Sequence, residues 1–115
     1  MAISFACQNI DFKDVIMCSF SLNKTEYALL IFLLGQQGRL SATSIGKHLN
    51  KDRTTVQKAI KKLVDTQLVS KYQINLESGG YTFVYAVKEK EELRRRILQI
   101  VQAWSDNVVA AVKSW

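Results

Sequence analysis

The sequence contains few of the residues on which disulfide frameworks and metal centres depend. It has two cysteines, Cys7 and Cys18, and one histidine, His48, which lies far along the chain from both. Two widely spaced cysteines predict neither a disulfide framework nor a zinc site, so we expect no metal and no cofactor. We expect both thiols to be buried or partly buried in a reducing compartment. A thiol-based redox switch is the less favoured alternative.

Long apolar runs and catalytic motifs are missing as well. The apolar run at residues 28–34 is far shorter than the roughly 18 residues of a membrane helix. The first residues, MAISFAC, lack the basic start and the apolar stretch of a secretory signal. There is no nucleophile–base pair, no Gly-rich phosphate loop and no cluster of metal ligands at a suitable spacing. We therefore expect a cytoplasmic protein that has no membrane segment and is not an enzyme.

Positive charge is concentrated in one part of the chain. The net charge is +6, from 16 Lys and Arg against 10 Asp and Glu. Residues 39–71 contain eight cations and two anions, an excess as large as the net charge of the whole chain. A local excess of this kind indicates a polyanionic partner, whereas a diffuse excess would mostly favour solubility.

Two helices are predicted before the basic segment. The spacing of apolar residues in DFKDVIMCSF predicts a short helix over residues 11–20. Asn23 and Glu26 have the spacing of a capping box, which predicts a helix from residue 24 to residue 37. Gly38 is expected to end that helix, and its apolar centre is typical of the buried helix of a small domain.

The basic segment has the pattern of two short helices joined by a turn. Ser41 is a suitable N-cap for a helix over residues 42–49, and Asp52 for a helix over residues 53–66. The turn between them contains Asn50 and a lysine. The second of these helices is strongly amphipathic, and its apolar stripe consists of Val56, Ala59, Ile60, Leu63 and Val64.

The period then changes from helical to alternating. Residues 68–76 (LVSKYQINL) and 81–87 (YTFVYAV) have the composition of strands, and the ESGG between them is turn chemistry. Together they predict a β-hairpin. Neither Gly nor Pro occurs after Lys88, so one long helix is expected from there on.

The helix over residues 53–66 presents a polar, cationic face opposite its apolar stripe. Such a helix fits the major groove of B-DNA, where arginine reads guanine, glutamine reads adenine and threonine contacts thymine. Lysines mainly neutralise phosphates. The alternative interpretation of this helix is a charged face that is only solvated. The alternative interpretation of the hairpin is that it closes the core and does not contact DNA. The candidate DNA-binding residues are Ser44, Lys47, Lys51, Arg53, Thr54, Thr55, Gln57, Lys58, Lys61, Lys62, Lys71 and Gln73.

The last helix predicts a dimer. About 26 residues extend about 39 Å, which is longer than a small domain needs for its own core, and its apolar stripe would be exposed in a monomer. We expect it to pair with its counterpart, together with the N-terminal helix, around a two-fold axis. The alternative is that the helix folds back over its own domain. The candidate dimerisation residues are Leu93, Ile97, Ile100, Trp104, Val108, Ala111 and Trp115.

The run DRTTVQKAIKKLVDTQLVSKYQINLESGGYTFVYAVKEKEELRRRIL resembles the winged-helix domain of MarR-like and TrmB-like transcriptional regulators. The resemblance covers roughly residues 21–101, and DRTTVQKAIKKL is its most specific part. It implies a homodimer on a pseudo-palindromic site, in which the side chains near the bases are those of Arg53, Thr54, Thr55, Gln57 and Lys58. Gln67 stands where these families usually have glycine, so we expect a different exit from the recognition helix. We also expect no sugar-binding C-terminal domain, which leaves any small-molecule effector unknown.

These patterns predict a mainly α protein with a β-hairpin, an α+β winged helix-turn-helix. We expect a single domain over residues 1–115, with an N-terminal extension (1–20), a winged core (21–87) and a C-terminal dimerisation helix (88–115). The predicted function is a sequence-specific regulator that binds double-stranded DNA as a homodimer. The alternatives are a winged helix used as a protein–protein interaction module and a non-specific architectural DNA-binding protein.

Overall fold

The computed structural model describes residues 1–115 and divides the chain into two compact units. We call residues 23–88 the central unit, and residues 1–22 with 89–115 the terminal unit. The protein is mainly α with small antiparallel sheets, as predicted. In chain order the elements are β1 (Ala2–Phe5), β2 (Gln8–Asp11), α1 (Phe12–Phe20), α2 (Lys24–Leu34), β3 (Leu40–Ser41), α3 (Ala42–Leu49), α4 (Arg53–Asp65), β4 (Val69–Asn75), β5 (Tyr81–Val87) and α5 (Lys90–Ser114).

Helix α2 begins with the predicted capping box. The Glu26 N–H donates to Asn23 Oδ1 at 2.8 Å, and the Asn23 N–H donates to Glu26 Oε1 at 2.9 Å. The helix ends at Leu34, with Gly35 as its C-cap, so the predicted end at Gly38 is wrong. Glycine disfavours continuation of a helix, and the exposed residues that follow Gly35 offer no apolar side chain to offset that cost.

Helices α3 and α4 form the predicted helix-turn-helix, and both α2 and α3 pack against α4. Ser41 caps α3, since the Ser44 N–H donates to Ser41 Oγ at 3.2 Å. Gly46 of α3 is buried at the turn. A Cβ on Gly46 would lie 3.2 Å from the Lys51 carbonyl oxygen and 3.4 Å from Val56 Cγ2, so glycine permits the close approach of α3 to the start of α4.

The sheet of the central unit has three strands in the order β3-β5-β4, all antiparallel. Strands β4 and β5 form the predicted hairpin, in which Asn75 pairs with Tyr81 at the end next to the loop. Strand β3 was not predicted. It consists of Leu40 and Ser41, which pair with Tyr85 and Val84, and two residues are too few to produce an alternating pattern.

The terminal unit contains a hairpin, β1–β2, that the sequence did not predict. Its turn consists of Ala6 and Cys7, and Ala6 has a φ of 48°. Cys7 lies in this turn and Cys18 lies on the exposed side of α1, so both thiols are exposed. The expectation of buried or partly buried thiols was therefore wrong.

Helix α5 is a single helix of 25 residues, as predicted, and at 1.5 Å per residue it is about 38 Å long. Leu93 is its one buried residue.

No single helix of the structure is long and apolar enough to cross a membrane, although α1 and α2 taken together reach the necessary length and composition.

Helix α4 ends in a Schellman motif, in which the residue after the C-cap adopts the left-handed conformation. The Leu68 N–H donates to the Leu63 carbonyl and the Gln67 N–H donates to the Val64 carbonyl, both at 2.9 Å. Gln67 has a φ of 60°, which is the conformation that glycine favours at this position. The exit from the helix is therefore that of a glycine-ended helix, and the expectation of a different exit was wrong.

This geometry predicts that Gln67→Gly stabilises the protein. Left-handed backbone costs a residue with a Cβ about 1–2 kcal/mol, and the greater freedom of glycine in the unfolded chain offsets part of the gain. We expect the free energy of unfolding, measured by urea titration, to rise by about 0.5–1 kcal/mol. Gln67→Ala is the matched control, because it retains the Cβ and should give no increase. An equal response of the two variants would contradict the interpretation.

Candidate nucleic-acid interface

Helix α4 has one buried face and one open face. Val56, Ala59, Ile60 and Leu63 are all at most 3% exposed, which orients the helix on the core of the central unit. On the opposite side, the structure leaves the predicted polar residues open to solvent. Arg53, Thr54, Gln57, Lys58 and Lys61 are exposed, and Thr55 and Lys62 are half-buried.

The N-terminus of α4 differs in detail from the prediction. The helix begins after Asp52, as expected, but the Asp52 carboxylate interacts mainly with a side chain and not with the backbone of the first turn. It accepts a hydrogen bond from the Thr55 hydroxyl instead. That hydrogen bond is the main reason why the pKa of Asp52 lies below its usual value of 3.8. Thr55 is therefore already engaged within the chain, which makes Thr54 and Gln57 the more available polar side chains.

One of the predicted lysines has an internal partner. Lys61 Nζ lies 2.9 Å from Asp65 Oδ2, one helical turn away on the same face. Both side chains are largely exposed, so this ion pair adds little stability. A phosphate that approached Lys61 would compete with Asp65 for the ammonium group.

The predicted residues of α3 and the turn lie beside the start of α4. Lys47, Lys51 and Arg53 line a groove of about 630 Å³ together with Asn50 and Asp52. Ser44, in contrast, is half-buried, and its N–H is taken by the cap of α3. The structure thus brings three of the predicted cations together and leaves Ser44 less accessible.

The hairpin places its two predicted residues on one face. The ammonium group of Lys71 lies 4.0 Å from the centre of the Phe83 ring, and Gln73 Nε2 donates to Asn75 Oδ1 at 3.3 Å. The loop at residues 76–80 contains Glu77 and no cation. The cationic part of the hairpin is therefore the strand beside α4 and not the tip.

A second groove lies between α4 and this strand. It has a volume of about 420 Å³, and Lys58, Lys61, Lys71 and Tyr85 are among its lining residues. Tyr85 was not among the candidates. Its position opposite Lys71 in the β4–β5 register is a signal that aligning the two predicted strands would have provided.

A helix-turn-helix followed by an antiparallel hairpin and a long helix defines the winged-helix class. Comparison with known families agrees: residues 17–91 match the family described as the sugar-specific transcriptional regulator TrmB. Because this match spans well over half of the sequence, the chain belongs to the TrmB family. Both the family and the fold are those of a DNA-binding transcriptional regulator and not of an enzyme.

Individual relatives extend this similarity over most of the chain. A solved structure described as a possible transcriptional regulator from Methanosarcina mazei Go1 is 32% identical with a TM-score of 0.92, and the match covers 100% of this chain and 97% of that one. Two uncharacterized proteins of Methanocaldococcus jannaschii are 28% and 30% identical over 95% and 90% of this chain, and 79% and 81% of their own lengths.

A more distant structure shares the fold alone. A mutant of MepR from Staphylococcus aureus, bound to an oligodeoxyribonucleotide, is 17% identical with a TM-score of 0.57. The match covers 86% of this chain and 72% of that one. The fold predicted from the sequence is thus confirmed as that of MarR-like and TrmB-like regulators.

The hydrogen bond at the start of α4 predicts a titration that nuclear magnetic resonance can follow. Thr55→Val removes the donor, so the pKa of Asp52 should rise towards 3.8. Because the folded-state pKa is lowered, the stabilisation is present above the unfolded-state pKa and is lost as the pH falls through the folded-state pKa. The variant should lose that part of the acid dependence of stability. Thr54→Val is the matched control, and an unchanged Asp52 titration in Thr55→Val would contradict the assignment.

Proposed function

We propose that the protein is a sequence-specific transcriptional regulator that binds double-stranded DNA as a homodimer. Helix α4 enters the major groove, and the β4–β5 hairpin lies near the phosphate backbone. The observation that carries the proposal is the open polar side of α4, which no other part of its own chain covers. We further propose a cytoplasmic location and a pseudo-palindromic site.

The side chains near the start of α4 have the chemistry for reading bases. The major groove is about 12 Å wide and accepts a helix whose N-terminal residues lie nearest the base edges. Arg53 suits guanine, Gln57 suits adenine, and Thr54 suits a thymine methyl group or a hydrogen-bond acceptor. All three side chains are exposed, and none of them has a hydrogen-bond partner in the structure.

The remaining predicted cations suit the phosphates. Lys47 and Lys51 lie on the α3 side of Arg53, while Lys58, Lys61, Lys62 and Lys71 lie on α4 and the hairpin. Phosphate contacts of this kind increase affinity without reading sequence. The MepR variant that shares this fold is bound to an oligodeoxyribonucleotide, which supports DNA as the partner here.

Helix α5 supports the proposed dimer, with a change in the residues assigned to the contact. Leu93 is 4% exposed and belongs to the interior of its own chain, and Ile97 is half-buried there. Trp104 meets the Phe5 ring edge-on, with ring centres 6.5 Å apart. These residues of the predicted stripe therefore pack, at least in part, against other residues of the terminal unit.

A second stripe on α5 is free. Its aliphatic members are 39–63% exposed, and at 100° per residue they lie on one side of the helix, as in a helix–helix contact. Between Ile97 and Val112 the one charged residue is Asp106, which is unusual for an exposed helix. We therefore place the dimer contact on this stripe, with the predicted Trp104, Ala111 and Trp115 at its margin. The stripe consists of Leu98, Val101, Val108, Val109 and Val112.

The exposed apolar area suits a second copy of the chain. A fully exposed aliphatic side chain presents about 100 Å² and a tryptophan about 200 Å², so the stripe with both tryptophans exposes roughly 550 Å². A stable interface covers about 800 Å² per partner, and the flanking polar atoms of α5 supply the rest. In a two-fold dimer the two α4 helices would enter successive major grooves, which lie about 34 Å apart on B-DNA.

Selection of bound DNA from a random pool at physiological salt tests the function. We expect enrichment of an inverted repeat whose half-sites lie about one helical turn apart, because each subunit presents one recognition helix. Binding without enrichment would favour an architectural role, and no binding would favour a protein-interaction module. Thr54→Ala with Lys58→Ala should weaken binding to the selected site by about 1–3 kcal/mol for each base interaction that the substitutions remove, with the fold intact.

Light scattering after size exclusion tests the dimer. Val101→Glu would bury an unpaired carboxylate in each half of the contact, at a cost of several kcal/mol. The dissociation constant should therefore rise at least about a hundredfold. Gln99→Glu is the matched control, because it adds the same charge to another exposed position of α5. A monomeric mass for the unmodified protein at micromolar concentration, or equal behaviour of the two variants, would remove the proposed contact.

A further inference from the structure

The groove between α4 and strand β4 is lined by Tyr85, whose hydroxyl has no partner within the chain. Tyr85 is 5% exposed, and its hydroxyl forms no hydrogen bond in the structure. No buried polar side-chain atom lacks a partner, so the unpaired Tyr85 oxygen is open to solvent beside the groove that Tyr85 lines. A hydroxyl in this position can donate to a group that occupies the groove.

Three lysines from two elements line the same groove. Lys58 and Lys61 come from α4, and Lys71 comes from β4, directly opposite Tyr85 in the strand register. Asp65 also lines the groove and pairs with Lys61, so the three lysines and one aspartate carry a formal charge of +2. The Phe83 ring, 4.0 Å from the Lys71 ammonium, holds that charge against the sheet.

The donors of the groove match an oxyanion. Burial raises the pKa of Tyr85 above its usual value of 10.0, so the hydroxyl remains a proton donor at neutral pH. Ammonium and hydroxyl groups that line one groove are donors of the kind that binds a phosphate group. Ile60 and Val64 form its apolar side, which lowers the competition from water.

We propose that this groove binds one phosphate group between the Tyr85 hydroxyl and the ammonium groups of Lys58 and Lys71. The inference rests on the proposed function in one respect, namely that the phosphate belongs to the DNA backbone. The same chemistry would hold the phosphate of a small molecule, and the two sources are separated by the experiment. In the DNA-bound protein the phosphate bridges strand β4 and helix α4. It thereby sets the depth at which α4 enters the major groove of the DNA.

The first arm of the test uses the selected DNA duplex and the full chain. Tyr85→Phe removes only the hydroxyl and should weaken DNA binding about tenfold, as expected for a missing hydrogen bond to a charged group. Lys71→Gln should reduce the slope of log affinity against log salt by about 0.9. The matched controls are Tyr72→Phe, on the opposite face of β4 where Arg39 covers the ring, and Lys113→Gln at the end of α5. Neither control should change binding beyond twofold.

The second arm uses inorganic phosphate and the free protein. Millimolar phosphate should shift the amide resonances of Lys71 and Tyr85 in the unmodified protein, and Tyr85→Phe should abolish the shift. If phosphate shifts these resonances but the protein does not bind DNA, the site binds a free phosphate compound and the proposed function is wrong. A selective loss of DNA affinity without a phosphate response would assign the phosphate to DNA alone. Unchanged DNA binding in both variants, with no phosphate response, would overturn the site and leave the regulator assignment intact.

Discussion

The burial of one face of α4 is the constraint on which the rest of the structure depends. Val56, Ile60 and Leu63 are almost completely removed from solvent, and burial of such side chains contributes about 1.5–3 kcal/mol each. Because these residues can reach the core in only one rotation of the helix, their burial also determines that Arg53, Thr54 and Gln57 face outward. Stability and the presentation of the polar face are therefore two results of the same packing.

The elements that the sequence predicted are those with a long repeat or a cap. Helices α1, α3, α4 and α5 and the β4–β5 hairpin follow from periodicity, and the start of α2 follows from the pairing of Asn23 with Glu26. The elements that it missed are short or depend on partners distant in the chain. Strand β3 exists because Leu40 and Ser41 meet β5, and the β1–β2 hairpin has four-residue strands and a turn without glycine, so neither leaves a recognisable pattern.

The candidate site could be predicted in outline because helical geometry converts spacing into direction. The helical period alone indicates that Lys58 and Lys61 lie opposite the apolar stripe. Side-chain pairing is a different matter: the engagement of Thr55 by Asp52 and of Lys61 by Asp65 depends on rotamers. Tyr85 was missed for a related reason, since an aromatic residue in a strand is usually part of a core, and only the register with Lys71 reveals the groove. In α5 the sequence likewise does not show which apolar residues are available for a dimer contact. Leu98 and Val101 differ from Leu93 only in that they are exposed.

Ser41 connects two parts of the central unit that the sequence presents as separate. Its backbone pairs with Val84 in the central strand of the sheet, and its hydroxyl accepts the hydrogen bond that starts α3. The hairpin and the helix-turn-helix are therefore connected through one residue, which contacts both. A displacement of β5 would therefore be transmitted through Ser41 to the first turn of α3.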